Sequence, residues 1–393
     1  MLTMRQKQAL SVVVKNRYRR SGKKQKTKIL NEFVTNTGYN RSYARRILGS
    51  LSKRRIDKRR RQKNIRKRVY DSHVFYPLRK VWIAADGICG KRLQPFIPEL
   101  VRVLKREDEL KITKKVEVKL LTVSSATIDR MLKGVRRGYE LKGRSTTKPG
   151  TLLRSTIPIS MFSDWDEKRP GFFEADLVAL CGESVRGEYV NCLDMTDVAT
   201  GWVGLEAFMG KAQSRVNPAV DKIRKRLPFL MLGIDSDNGT EFINWLLKRY
   251  CEKHEITFTR IRPYRKNDNC YVEQKNYTVV RRFLGYGRYD TEKQLRIIQE
   301  ILKLVELYVN FFQPVMRLKE KKRIGTKVKK TYNIATTPYK KLLELRVLKD
   351  REKVKLRLLY ETLNPMEIKR KIHRLTEKLH KTLRYKINDA TNT

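Results

Sequence analysis

Cysteine and histidine are scarce in this chain. Five cysteines (Cys89, Cys181, Cys192, Cys251, Cys270) lie far apart with no CxxC pair, and there are four histidines (His73, His254, His373, His380). An odd, scattered set of thiols excludes a disulfide frame, and without paired Cys and His spacing a zinc cluster is not expected. His373 and His380, seven apart on a basic helical stretch, read as solvated side chains. Long apolar runs are also missing. The run from Ala9 to Val14 is typical of the longest, far short of the roughly 20 residues that cross a bilayer. No charged-then-apolar leader opens the chain, so secretion is not expected and a cytoplasmic, nucleoid-associated protein is. Acids are the third shortage. Against 90 Lys and Arg stand 41 Asp and Glu, a formal net charge of +49. Such an imbalance calls for a polyanionic partner.

What is present suffices for folded domains. Of 393 residues, 40% are apolar, enough for a sizeable core. At about 100–200 residues per domain the length suggests two to four of them. Charge divides the chain unevenly. Residues 1–70 hold 24 Lys and Arg and two acids, Glu32 and Asp57, whereas residues 171–290 hold 18 bases and 16 acids. A chain that only coated DNA would have no reason to gather acids in its middle. A nuclease-type site would, because hard divalent cations need carboxylate oxygens beside an anionic backbone.

The N-terminal part, residues 1–70, reads as short helices. Lys26–Thr35 sets Ile29, Leu30, Phe33 and Val34 on one face, Gly38 breaks the pattern, and Asn40 caps a second helix over Arg41–Gly49. That helix is expected to bury Tyr43, Ala44, Ile47 and Leu48 and to expose Arg41, Arg45 and Arg46. A helix, a short Gly turn and a basic helix have the form of a helix-turn-helix, whose second helix enters the major groove. The run at 53–68, KRRIDKRRRQKNIRKR, is either a solvated linker or an arm that follows phosphates. Residues 71–150 suggest a second helical, DNA-binding unit: a helix near Pro98–Leu104, then Val116–Leu121 and Ser125–Lys133 about a turn, with Ser124 as N-cap. Residues 139–160 read as a linker.

The centre changes character. Phe172–Leu180, Tyr189–Met195 and Trp202–Phe208 read as consecutive strands, jointed at Gly187 and Gly201. A helix over Lys211–Arg226, a strand over Phe229–Asp235, a helix from Asn238 to Lys253, a strand over Ile256–Ile261 and a helix from Asn269 to Phe283 follow. The stripe Phe242, Ile243, Leu246, Leu247, Tyr250 is the expected core face of the second helix. This order implies a mixed sheet with helices on its faces. Three acids stand where side chains from separate elements can converge. Asp176 lies inside the first strand, Asp237 follows the fourth, and Glu273 sits on the last helix. A charge inside an apolar strand is costly unless paired or liganded. Three carboxylates can hold two Mg²⁺ ions, or Mn²⁺, across one phosphate.

These residues resemble the catalytic core of the DDE transposases and retroviral-type integrases. The marks are Asp176 in the first strand, the turn Ser236-Asp237-Asn238-Gly239, 35 residues between Asp237 and Glu273, and Pro263-Tyr264-Arg265-Lys266 before the Glu. Asp194-Met195-Thr196-Asp197 with Trp202 is a looser match to the family's second strand. The resemblance covers about residues 165–290 and implies an α/β RNase H-like core over 160–295, a mixed five-stranded sheet with helices on both faces. All-α helix-turn-helix units precede it, as in transposases of bacterial insertion sequences, and a basic, mainly helical DNA-binding and assembly region follows over 296–393. It implies a Mg²⁺-dependent polynucleotidyl transferase acting on double-stranded DNA at terminal inverted repeats and target, as a dimer or tetramer, with no small-molecule substrate, no membrane and no covalent protein–DNA intermediate. Asp176, Asp237 and Glu273 are then catalytic and metal-binding, with Asn238, Gly239 and Tyr264 in support. Arg41, Arg45, Arg46, Arg265, Lys266, Lys275, Arg281 and Arg282 are candidate DNA contacts. Asp235 and Glu174, each two residues from a catalytic position, are weaker candidates, and Asp194 and Asp197 read as turn or strand-end acids. The alternatives are a catalytically silent DNA-binding regulator on the same scaffold and a structure-specific nuclease.

Overall fold

The computed structural model describes residues 2–49, 69–136, 169–210, 213–236, 245–260, 272, 275–324, 327–345 and 347–391. They fall into two compact units, Met1–Val69 and Tyr70–Thr393.

The first unit has three helices: α1 (Met4–Arg20), α2 (Lys23–Thr37) and α3 (Arg41–Gly49). Leu30, Phe33, Ala44 and Leu48 form its core, with Leu10, Val14 and Tyr18 of α1 packed against them. Gly38 ends α2 in the left-handed region (φ 66°), its N–H bonded to Val34 C=O at 2.8 Å. Asn40 caps α3 as its sequence suggests, accepting from Ser42 N–H at 2.9 Å. Tyr43 is not buried. It lies at the surface between Tyr39 and the Arg46 guanidinium, an edge-on ring contact on one side and a cation over its face on the other. Apolar spacing alone could not anticipate that surface stack.

The second unit is built on a five-stranded sheet: β1 (Phe172–Ala179), β2 (Val190–Asp197), β3 (Val203–Met209), β4 (Gly233–Ser236) and β5 (Thr257–Arg260). The order is β3-β2-β1-β4-β5, antiparallel across β1–β2–β3 and parallel across β1–β4–β5. That is the mixed sheet of an RNase H-like fold. Gly187 and Gly201 take positive φ at the strand joints. β4 is shorter than its apolar run, because β1 offers a partner only from Phe172↔Gly233 onward.

Strand alternation gives the sheet two faces. Phe173, Ala175, Leu193, Met195 and Ile234 look one way and pack under α9 (Gln213–Arg226) and α10 (Trp245–Lys253). In α10, Leu247 is buried but Leu246 is 45% exposed, so the expected core stripe is narrower; Phe242 and Ile243 lie outside the described residues. The opposite face carries Val178, Cys192, Val203 and Leu205 and shares one core with α4 (Ser72–Ala84), α5 (Gly90–Leu93), α6 (Ile97–Arg106), α7 (Lys114–Thr122), α8 (Ser125–Arg136) and the long α11 (Glu292–Phe312).

The β3 edge would expose unpaired backbone groups. α11 covers it with side chains. Asn310 accepts from Val203 N–H and donates to Val203 C=O, both at 2.8 Å; Glu306 accepts from Leu205 N–H at 2.9 Å; Gln299 donates to Ala207 C=O at 2.8 Å. After α11 come a two-stranded ribbon, β6 (Leu318–Ile324) and β7 (Lys327–Tyr332), and helices α12 (Pro338–Glu344), α13 (Asp350–Thr362) and α14 (Pro365–Thr391). The ribbon departs from the helical reading of this region. Its lysine-rich sequence has no apolar alternation to reveal it.

Candidate active site

The face of the sheet that meets the helical region is polar at its centre. Glu174 and Asp176 of β1, Asp194 and Thr196 of β2, Asp235 of β4 and Thr259 of β5 share it, because paired residues of neighbouring strands point the same way. Four acids on a buried face demand partners.

Each finds a different solution. Glu174 is buried and accepts from Val272 N–H at 3.0 Å, which fastens the start of a helical segment to β1. Asp235 accepts from the Thr259 hydroxyl at 2.8 Å. Asp197 closes the end of β2, accepting from Gly171 N–H at 2.8 Å and from the Thr200 N–H and hydroxyl at 2.6 Å each. It is the strand-end acid its position suggests.

Asp176 and Asp194 face each other as partners in the β1–β2 register. Asp176 is half-buried. One of its oxygens accepts from Leu177 N–H at 2.8 Å and the other from the Asn276 amide at 2.5 Å. Asp194 is fully buried in mid-strand, not at a strand end. Its Oδ1 accepts from Thr196 at 3.3 Å, whereas Oδ2 has no hydrogen-bond partner among the described residues. Burial holds the Asp194 carboxyl well above the usual carboxylate range; Lys275 opposes this and Asp176 adds to it. Burial, then the charge of Arg92, lowers the Lys275 ammonium, and Asp194 opposes the shift.

Lys275 and Asn276 come from one helical segment. Val272 and Lys275 are helical, and Asn276–Arg281 is a π-helical turn that runs into Arg282–Leu284. Its wider hydrogen-bond rings re-aim the residues beyond it relative to a 3.6-residue count. Arg281 donates to Ala179 C=O at 2.8 Å and lies over the Tyr286 ring. Arg282 pairs with Asp86 at 2.7 Å and donates to the Asp86 carbonyl at 2.6 Å. Lys275 is half-buried beside Asp194. These three are candidate DNA contacts, and in the structure each, half-buried, also meets groups of the protein itself: a carboxylate, a ring or a backbone carbonyl. Arg41, Arg45 and Arg46 are exposed on α3, Arg41 donating to the Asn31 side chain.

Asp237 and Glu273 lie outside the described residues, as do Asn238, Gly239, Tyr264, Arg265 and Lys266. Ser236, just before Asp237, is buried at the end of β4 and pairs with Ala175, just before Asp176. Among the described residues no three His, Cys, Asp or Glu side chains converge as a metal site, and no helix is long and apolar enough to cross a membrane. Sequence reasoning misplaces one site residue and misses another. Asp194, read as a turn or strand-end acid, is set beside Asp176 by strand register. Asn276 is signalled only by standing three residues past Glu273.

No family model matches the chain. Among solved structures, the catalytic core domain of BIV integrase is 18% identical, covering 44% of this chain and 94% of that one, with a TM-score of 0.30. The HTLV-2 integrase catalytic core domain in complex with magnesium is 15% identical, covering 37% and 90%, with a TM-score of 0.28. A simian T-cell lymphotropic virus intasome chain is 13% identical, covering 50% and 65%, with a TM-score of 0.30. The RNase H-like assignment rests on strand order and register. In sequence, the uncharacterized protein y4rM of Sinorhizobium fredii is 36% identical over 337 residues, which span 86% of this chain and 95% of that protein, and the chain belongs to the same family as y4rM.

Proposed function

We propose that the chain is a DDE transposase of an insertion sequence, a polynucleotidyl transferase acting on double-stranded DNA, with Asp176, Asp237 and Glu273 as its catalytic carboxylates. The observation that carries this reading is the bond from Asn276 to Asp176. It ties the segment Lys275–Arg281 to the middle of β1, and Glu273 is three residues before Asn276 in the sequence. The pairing of Ala175 with Ser236 supports it from the other side, since Asp176 and Asp237 are the residues that follow them in the sequence.

The donor set fits hard divalent cations. Carboxylate oxygens are what Mg²⁺ and Mn²⁺ take, and the buried Oδ2 of Asp194 beside Asp176, without a hydrogen-bond partner among the described residues, is an atom that nearby positive charge would satisfy. Asp176, Asp237 and Glu273 would hold two ions. When bound, such a pair stabilises charge on the attacking and leaving oxygens of a phosphodiester exchange. The chain's own residues arrange the rest. Asn276 orients Asp176, Glu174 fixes the start of the helical segment, and Lys275 sets a cation among the acids. Water attacks the phosphodiester at an element end and frees a 3′-OH, which then displaces a 3′ oxygen in target DNA. One phosphodiester replaces another, so no nucleotide cofactor and no protein nucleophile is required.

Arg41, Arg45 and Arg46 on α3, Arg265 and Lys266, and the basic stretches serve to hold terminal inverted repeats and target. Two ends must be joined together, which calls for a dimer or tetramer. The protein works where chromosomal DNA lies, in the cytoplasm. The test is strand transfer with Mg²⁺ and duplexes ending in the inverted repeats that flank the gene. Asp176→Asn, Asp237→Asn and Glu273→Gln should each abolish transfer and keep end binding. Wild-type transfer by any of the three, or end binding without transfer by the unaltered chain, would overturn the assignment.

A further inference from the structure

The β6–β7 ribbon has no role in the site described above. Its 15 residues, 318–332, carry seven Lys and Arg and one Glu. Its base is fastened by reciprocal backbone bonds between Val315 and Thr336 (2.9 and 3.2 Å) and by Asn333 N–H to Arg317 C=O at 2.9 Å. Beyond that base every described side chain is exposed. The register sets Lys322 opposite Lys329, and Lys321 opposite Lys330. Like charges directly opposite on a ladder destabilise it, and a lone two-stranded ribbon is marginal to begin with. Glu320 offsets one of these charges, at 2.7 Å from Lys322. A polyanion would relieve the remaining repulsion.

We propose that this ribbon lies in the major groove of duplex DNA, with its lysines on the phosphates of both strands. The proposal deepens the functional reading above and rests on it. Seven residues of strand at about 3.4 Å each span roughly 24 Å, and the two strands lie about 4.8 Å apart. The major groove, about 12 Å wide, admits a two-stranded ribbon. A second copy of the ribbon is the poorer occupant. Its equal positive charge repels, and edge lysines oppose strand-to-strand pairing.

The test uses the full chain and duplex DNA of random sequence, with affinity measured against salt concentration. Each phosphate contact contributes about 0.9 to the slope of log K against log salt. Replacing Lys319, Lys322, Lys329 and Lys330 by Gln should lower that slope by about 3 to 4. The same change at four exposed lysines elsewhere, Lys225, Lys253, Lys293 and Lys303, should leave it nearly unchanged. Duplex RNA, whose major groove is deep and narrow, should bind the ribbon variant and the parent alike. An equal fall in slope for both quadruple variants, or an equal loss on RNA, single strands and DNA, would overturn the ribbon's role. A parent chain that binds no duplex would sink the functional reading itself. Unchanged melting of the ribbon variant separates lost contacts from lost folding.

Discussion

Asn276→Ala isolates the contact on which the site turns. The Asn276 amide donates to the Asp176 carboxylate at 2.5 Å. A hydrogen bond to a charged group contributes about 1.5–3 kcal/mol. If that energy goes into holding Asp176 in its working orientation, the transfer rate should fall roughly 10- to 150-fold, at about 1.4 kcal/mol per tenfold. Affinity for DNA ends should not change, because Asn276 is half-buried at the sheet. The discriminating measurement is Mg²⁺ dependence. Loss of an orienting donor should raise the concentration at which Mg²⁺ elevates the melting temperature, as well as the concentration that half-saturates transfer. Asn276→Asp should be worse than Ala, since it sets a further carboxylate against Asp176. A variant with a slower rate but an unaltered Mg²⁺ requirement in both assays would refute the orienting role and leave a packing defect.

Three further outcomes follow from the geometry. Asn310→Leu strips both partners from Val203; at about 1–3 kcal/mol per orphaned buried group the second unit should lose roughly 2–6 kcal/mol, read by urea melts through the neighbouring Trp202, and a loss under about 1 kcal/mol would mean water or a shifted α11 replaces the bonds. Burial raises the Glu306 carboxyl above its ordinary 4.5, against the pull of Arg226, so the folded chain keeps that proton to higher pH than the unfolded chain does. Its contribution is whole below pH 4.5 and shrinks as the pH rises through the folded value; Glu306→Gln should remove that part of the slope of stability against pH, and an identical slope would refute the assignment. In thiol labelling of a Cys270→Ser background, Cys89 should react at once, because it is exposed, whereas Cys181, Cys192 and Cys251 wait for unfolding. Burial pushes the Cys251 thiol up to about 12, and prompt labelling of it would contradict the packing under the sheet.

Much of the architecture is legible before any coordinates. The three strands over 172–209 announce themselves by apolar runs jointed at Gly187 and Gly201, and α3 by Asn40 and the Gly38 break, since local sterics and capping act over a few residues. Burial by apolar spacing is less secure. Tyr43 and Leu246 both occupy core positions of a helical stripe and both are exposed, because the stripe is wider than the neighbour that covers it.

Composition by itself determined the surplus of positive charge, and with it the expectation of a polyanionic partner, since no arrangement of 90 bases and 41 acids can hide the excess. The order of strand and helix patterns determined a mixed sheet. Only the tertiary structure decided which acids stand together: Asp194 opposite Asp176, Glu174 spent on Val272, Asp235 on Thr259. It also decided that Arg281 and Arg282 turn inward and that a lysine-rich stretch forms a ribbon. Those outcomes depend on register between strands and on a π turn, both set by contacts between residues far apart in the chain, which no window of sequence contains.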